Sequence, residues 1–257
     1  MGERSFIAAT AAAFFAASFA AQASPWNRAD GALFVATTAN YYWSTTDASR
    51  YTRIDSDTYL EFGLTPGWML GGRVSYGTSI SDSAAGSVTA SGLNEAELYV
   101  QRQILRGAHS ATSVKLSGIR SGSLSTDAQS GAPTPNMEFE LRALHGRDIL
   151  LKPIKIFATA ETAYRRRIGG DADQIRADAL VGIEPGARFL FLLEAQSIVS
   201  LRNEAPGLAD FDLYKGQVSI VWRKSRRWNF AAGARKEFAA RNLAPGTAFF
   251  LGTWSEF

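Results

Sequence analysis

The 257-residue sequence contains no cysteine and only two histidines. Without cysteine there is no disulfide framework, no thiolate zinc site and no cysteine nucleophile. Net charge is nearly absent as well: 27 Lys and Arg stand against 24 Asp and Glu, a formal +3. Nucleic-acid binding, which needs basic residues gathered on one face, gets no support from that balance. Beyond residue 23 no stretch is apolar for the roughly 20 residues that a membrane-spanning helix requires. Internal sequence repeats, linkers and composition breaks are missing too, so nothing marks a second domain.

What is present begins with MGERSFIAATAAAFFAASFAAQAS. A short charged start with Arg4 leads into an apolar run from Phe6 to Ala20, and Ala21-Gln22-Ala23 forms an A-x-A cleavage site before Ser24. This is the layout of a secretory signal peptide. Residues 1–23 are therefore expected to direct export and be removed, leaving residues 24–257 as one domain.

From Gly31 onward the hydrophobic pattern has a period of two. In QIRADALVGIE, Ile175, Ala177, Ala179, Val181 and Ile183 fall on one face, with Gln174, Arg176, Asp178 and Glu184 on the other. MEFELRA sets Met137, Phe139, Leu141 and Ala143 against Glu138, Glu140 and Arg142 in the same way. A helix would mix these sets, so they are strands. About twelve are expected, at 31–43, 54–65, 68–80, 92–104, 110–120, 136–147, 153–167, 174–184, 187–202, 210–223, 227–238 and 246–257. Tight links such as Thr65-Pro66-Gly67-Trp68 and Glu184-Pro185-Gly186-Ala187 alternate with looser ones, of which SDSAAGSVTASG and SGSLSTDAQSGAPTPN are the longest. Short turns at one end and longer loops at the other describe an up-and-down meander.

A soluble β-sandwich also has one apolar face per strand. Three features favour a membrane barrel instead. The strands reach the 9–11 tilted residues that a bilayer crossing needs. The apolar faces are smooth, built from Ala, Val, Leu and Phe. The opposite faces carry long charged groups of both signs: Arg73, Glu95, Glu97, Lys115, Glu138, Glu140, Arg142, Lys155, Glu161, Arg165, Arg176, Asp178, Glu194, Lys215, Arg223, Arg235 and Glu237. These are the candidate lumen-lining residues. Aromatic rings near the strand ends complete the pattern: Trp68, Trp222, Trp228, Trp254 and Phe257 by the short turns, Trp43 at the other end of the first strand. They are expected to form the headgroup-level girdles of such barrels. The expected fold is thus all-β, an antiparallel up-and-down transmembrane β-barrel of about twelve strands.

The chain ends AFFLGTWSEF, with Phe249, Leu251 and Phe257 on one parity. In this it resembles the outer-membrane β-barrel proteins of Gram-negative bacteria, whose last strand ends in Phe. The resemblance implies insertion into the outer membrane, contact with its lipid, and reading of that terminus by the barrel-insertion machinery. Thr253 and Ser255 stand where a bulkier residue is usual. YLEFGLTPGWMLGGRVSYG, residues 59–77, together with SPWNRADGALF, resembles a narrower group: poorly characterised proteobacterial barrels grouped with phenol-degradation-pathway transport proteins.

The function these features point to is a narrow channel for small polar or aromatic solutes. A closed barrel with a structural or assembly role is the alternative, and an outer-membrane lipid hydrolase a weaker third. For the hydrolase the available pairing is His109-Ser110, but neighbours along a strand point to opposite faces, and His145 stands apart. The pairs Glu95/Glu97 and Glu138/Glu140 each share a face, yet nearby Arg and Lys are expected to neutralise them rather than a metal. No catalytic residue, metal or cofactor is assigned. The run Arg165-Arg166-Arg167 beside GGDAD reads as a surface-loop charge cluster that could meet lipopolysaccharide.

Overall fold

In the computed structural model the described residues are 24–84, 86–122, 137–225 and 227–257. The expected signal peptide lies outside them, as does most of the 121–136 loop. They form twelve strands: β1 (Leu33–Thr45), β2 (Ser49–Thr65), β3 (Trp68–Ser83), β4 (Gly86–Arg106), β5 (Ser110–Ser121), β6 (Met137–Leu150), β7 (Lys155–Ile168), β8 (Gln174–Glu184), β9 (Phe189–Ser200), β10 (Asp212–Arg223), β11 (Trp228–Arg241) and β12 (Gly246–Glu256). Each pairs antiparallel with its sequence neighbours, and β12 returns to β1 to close the barrel. Closure leaves no strand edge unpaired, which is what a strand needs where no water can satisfy its backbone.

The seam is made by the last residues of the chain. Phe34 lies opposite Glu256 and Ser44 opposite Gly246. Beyond the strands, the Leu33 N–H donates to the Phe257 carbonyl at 3.0 Å and the Phe257 N–H donates back at 2.8 Å. The terminal segment is thereby held in the wall rather than frayed.

Alternation sets the two faces. Met137, Phe139 and Leu141 point outward with Phe189, Phe191 and Leu193, while Glu138, Glu140 and Arg142 point inward and are buried. Several inward aromatic rings lie over glycines of the adjacent strand: Tyr99 over Gly71, Phe157 over Gly182 and Phe250 over Gly233. A side chain at those glycines would occupy the same space, and the ring covers the backbone the glycine leaves bare.

The structure corrects one connection. SDSAAGSVTASG is not a long loop: β3 runs on to Ser83 and β4 starts at Gly86, so a two-stranded ribbon extends through most of it. The same extension carries β2 back to Ser49. Exposed backbone groups in this segment are satisfied by pairing with each other.

Candidate functional site

The lumen is divided along its length. At the short-turn end it is apolar: Phe34, Met69, Tyr99, Phe157, Leu190 and Trp254 belong to one buried cluster. Into this end folds the segment that precedes β1. The Gln101 side-chain amide donates to the Ser24 carbonyl (2.6 Å) and to Asn27 Oδ1 (2.9 Å), while Ser113 Oγ donates to the Pro25 carbonyl (2.5 Å). Trp26 packs against the apolar cluster, and a Cβ on Gly146 would overlap its ring and Pro25. Arg28 Nε donates to Glu61 Oε2 at 2.6 Å, with the guanidinium 4.0 Å from the centre of the Phe34 ring. Tyr59 and Tyr99 donate to the other Glu61 oxygen at 2.7 and 3.1 Å. Residues 24–32 therefore stopper the short-turn mouth.

Toward the long loops the lumen is charged. Along β2 to β7 acids and bases interlock. Arg73 pairs with Asp57 and Glu95, and Lys115 with Glu97 at 3.0 Å. Arg142 holds Glu140 (2.8 Å), Glu161 (2.7 Å) and Asp178. Arg165 reaches Glu138 at 2.9 Å, Glu140 at 2.8 Å and Glu95 at 3.4 Å. The carboxylate pairs on β4 and β6 thus face arginine and lysine, and among the described residues no acidic or histidine group has the makings of a metal site.

Along β8 to β11 the arrangement differs. Arg176 touches Gln174 and only approaches Glu140, at 4.0 Å. Glu194 accepts from the Gln217 amide at 2.8 Å, and Glu237 from Tyr42 Oη at 2.9 Å. Three small cavities lie between the two walls, about 130, 110 and 120 Å³ in volume. Arg73 lines all three. Lys155 and Arg223 sit instead at the short-turn mouth, both against Glu184 at 3.6 and 2.7 Å.

At the long-loop end the β9–β10 connection folds down. Ala209 and Phe211 are buried, Ala209 N–H donates to Asp171 Oδ1 at 3.0 Å, and Asp173 accepts from the Arg167 N–H, Tyr164, Arg166 and Asn203. Burial opposes the charge of Asp173, but these donors outweigh it and hold the carboxyl down at about 2.

Two assignments made from sequence change. Trp254 is not a girdle residue: it turns inward, 5% exposed and edge-on to Phe34, because it lies three positions from Phe257 and so on the opposite face. The Arg165–Arg167 run is not a surface cluster, since Arg165 and Arg167 are buried in the lumen and only Arg166 points out. On the outer wall, Trp68, Trp222, Trp228 and Phe257 are exposed near the short turns, while Trp43 stacks with Tyr41 and Phe249 at the other end. His109 stands 3.7 Å from Asp148, and His145 bonds Thr112 at 2.9 Å; neither is bonded to Ser110.

Sequence reasoning missed the stopper. SPWNRAD has no periodicity, and its partners Gln101 and Ser113 look like any lumen amide and hydroxyl. Gly63 and Gly146 were the available signals, since a Cβ at either would collide with residues 24–32.

No protein-family profile and no curated protein matches the chain. Solved structures do. An outer-membrane channel from Pseudomonas putida F1 is similar over 90% of this chain and 97% of its own, with TM-score 0.65 and 14% identity. The KdgM porin is similar over 86% of this chain and 99% of its own, with TM-score 0.54 and 7% identity. The NanC porin is similar over 85% and 98%, with TM-score 0.55 and 8% identity. At these identities the likeness concerns the fold alone, a closed antiparallel barrel of twelve strands.

Proposed function

We propose that this barrel is a narrow outer-membrane channel for small polar or aromatic solutes, closed at rest by residues 24–32. One observation carries the reading. The block at the short-turn mouth is a separate segment held largely by side-chain hydrogen bonds, and open space lined by charge lies behind it. A small barrel built only to be solid is filled by its own wall side chains. Here the block is instead a segment outside the wall strands, tied to them by side-chain bonds with Gln101, Ser113 and Glu61. The names of the P. putida channel and the two porins agree with passage of solutes. The resemblance of residues 59–77 to barrels grouped with phenol-degradation transport extends the solute class to aromatic compounds.

Export by the leader, residence in the outer membrane, lipid contact at the tryptophan girdle and reading of Phe257 by the insertion machinery belong to the same reading. Arg166, the outward member of its run, is the residue to meet lipopolysaccharide. A structural role is the second reading, favoured by the buried apolar cluster, which narrows the bore even without the segment.

Planar-bilayer recording separates them. The chain of residues 24–257 is compared with one lacking residues 25–30, each verified as folded by heat-modifiable migration on a gel. Rare discrete openings in the first and frequent ones in the second are expected. Silence from both folded proteins would overturn the channel and leave the structural reading.

A further inference from the structure

In the lumen, three cations of the β8–β11 wall stand without a close acidic partner. Lys215 and Arg235 make no ion pair and no side-chain hydrogen bond among the described residues, and Arg176 comes no nearer than 4.0 Å to a carboxylate. Their nitrogens are not sealed in: all three residues line the cavity of about 120 Å³. Carboxylates lie near them without making contact: Glu237, Asp55 and Glu194 around Arg235, and Glu237, Asp178 and Glu194 around Lys215, each beyond ion-pair distance. Glu237 lies opposite Lys215 in the ladder and accepts from Tyr42 Oη and from the Gly246 N–H at 2.8 Å, both on Oε2, while making no ion pair with Lys215. Asp178 is taken by Arg142. The register neighbour of Arg235 is Gln217, whose amide is committed to Glu194.

Arg235 also lines the neighbouring cavity of about 110 Å³, whose surface includes Phe250, Trp254 and Leu192. One guanidinium therefore stands between a mainly cationic cavity and a mixed one that carries an aromatic patch. Glu194 and Asp57 share that second cavity, but Glu194 faces the amides of Gln217 and Gln196, and Asp57 is paired with Arg73.

A cation held in a confined wall without a contacting carboxylate is costly, and a mobile counter-ion that contacts it offsets that cost. A guanidinium takes a carboxylate with two parallel hydrogen bonds. We propose that the lumen holds a binding site for a small organic anion, one carboxylate on an apolar body. The carboxylate lies on Arg235, with Lys215 and Arg176 beside it, and the body lies against Phe250, Trp254 and Leu192. As the solute class of the proposed channel this rests on that reading, but binding itself does not require conduction.

The test is calorimetry on the full chain folded in detergent micelles, with benzoate, benzyl alcohol and benzylamine as probes. Benzoate is expected to bind about tenfold or more tightly than the neutral alcohol, as a charge-assisted hydrogen bond implies; benzylamine is expected not to bind. Arg235→Gln and Lys215→Gln each weaken benzoate by about tenfold, while Arg235→Lys recovers part of the loss. If Arg235→Gln loses its heat-modifiable band, Lys215→Gln carries the comparison. Equal affinity for benzoate and benzyl alcohol, or undiminished affinity in the folded variants, overturns the site. Silent bilayers with benzoate binding intact would overturn only the channel; conduction without benzoate binding would overturn only the site.

Discussion

Two walls face each other across the bore, and they treat charge differently. On the β2–β7 side the inward arginines Arg53, Arg73, Arg142, Arg165 and Arg167 are each locked to one or more carboxylates, and Glu140 alone serves Arg142 and Arg165 at 2.8 Å each. On the β8–β11 side Lys215 and Arg235 point into cavities with no such partner. Both walls obey the same alternation and would look alike in any census of inward residues. A lumen charge is structural or available according to what its cross-strand neighbours are already holding. On the proposed reading the first wall is a scaffold and the second the face open to a solute.

The largest expected effect breaks the scaffold. Glu140 is buried and compensates two guanidiniums, with Arg176 at 4.0 Å. Glu140→Ala removes a charged contact from both guanidiniums, leaving Arg142 with Glu161 and Asp178 and Arg165 with Glu138 and Glu95, and should cost about 3 kcal/mol. The urea midpoint of the heat-modifiable band measures it. An unchanged midpoint would mean that the two walls do not differ in kind.

Gly146 sits on the scaffold side, and the three heavy atoms nearest a Cβ built there all belong to Trp26 and Pro25 of the stopper. Gly146→Leu should raise the open fraction in planar bilayers while moving the urea midpoint much less than Glu140→Ala. Gly118→Ala, where the space is empty, is the control that leaves both quantities alone. Opening by both variants alike would detach the stopper from closure.

On the other wall the expectation reverses. Because Arg235 and Lys215 make no ion pair or side-chain hydrogen bond among the described residues, Arg235→Gln and Lys215→Gln should change stability by about 1 kcal/mol or less. The same variants should move the reversal potential in a salt gradient toward cation preference. A large loss of stability with no change in selectivity would place these residues in the scaffold.

How much of this could be read from the chain depends on which force decides each feature. Alternation in QIRADALVGIE and MEFELRA follows from the strand period, and the architecture came with it: twelve strands and a closed antiparallel barrel. Trp254 was readable by the same arithmetic, yet an aromatic near a strand end suggested a girdle and outweighed its parity. Arg165 and Arg167 repeat the lesson, for alternation sets Arg166 on the face opposite both of them, so the run could not lie on one surface. SDSAAGSVTASG has the composition of a loop, and long-range pairing overrode it. Neither the stopper nor the unpaired state of Lys215 could be found this way. Both depend on contacts such as Gln101 with Ser24 and Glu237 with Tyr42, between residues 77 and 195 positions apart, and no local pattern encodes those.

A pairing outside the bore supplies the smallest effect and sets a scale for the others. Asp173 ties the loop before β8 to the β9–β10 connection, accepting from Asn203, while the Leu201 N–H donates to the Asp173 carbonyl at 2.8 Å. Its carboxyl is held down at about 2, below the ordinary aspartate value. A lowered pKa stabilises the folded loop fully above the unfolded pKa, near 3.9, and that contribution disappears as pH falls through 2. Hydrogen exchange of residues 201–211, corrected for intrinsic rate, should therefore stay slow from pH 7 to 5 and quicken toward 2. Asp173→Asn should quicken it about tenfold at neutral pH and leave the urea midpoint of the barrel almost unmoved. If that variant instead unfolds the barrel as Glu140→Ala is expected to, the loop carboxylate belongs to the scaffold, and the line between paired wall and periphery has to be redrawn.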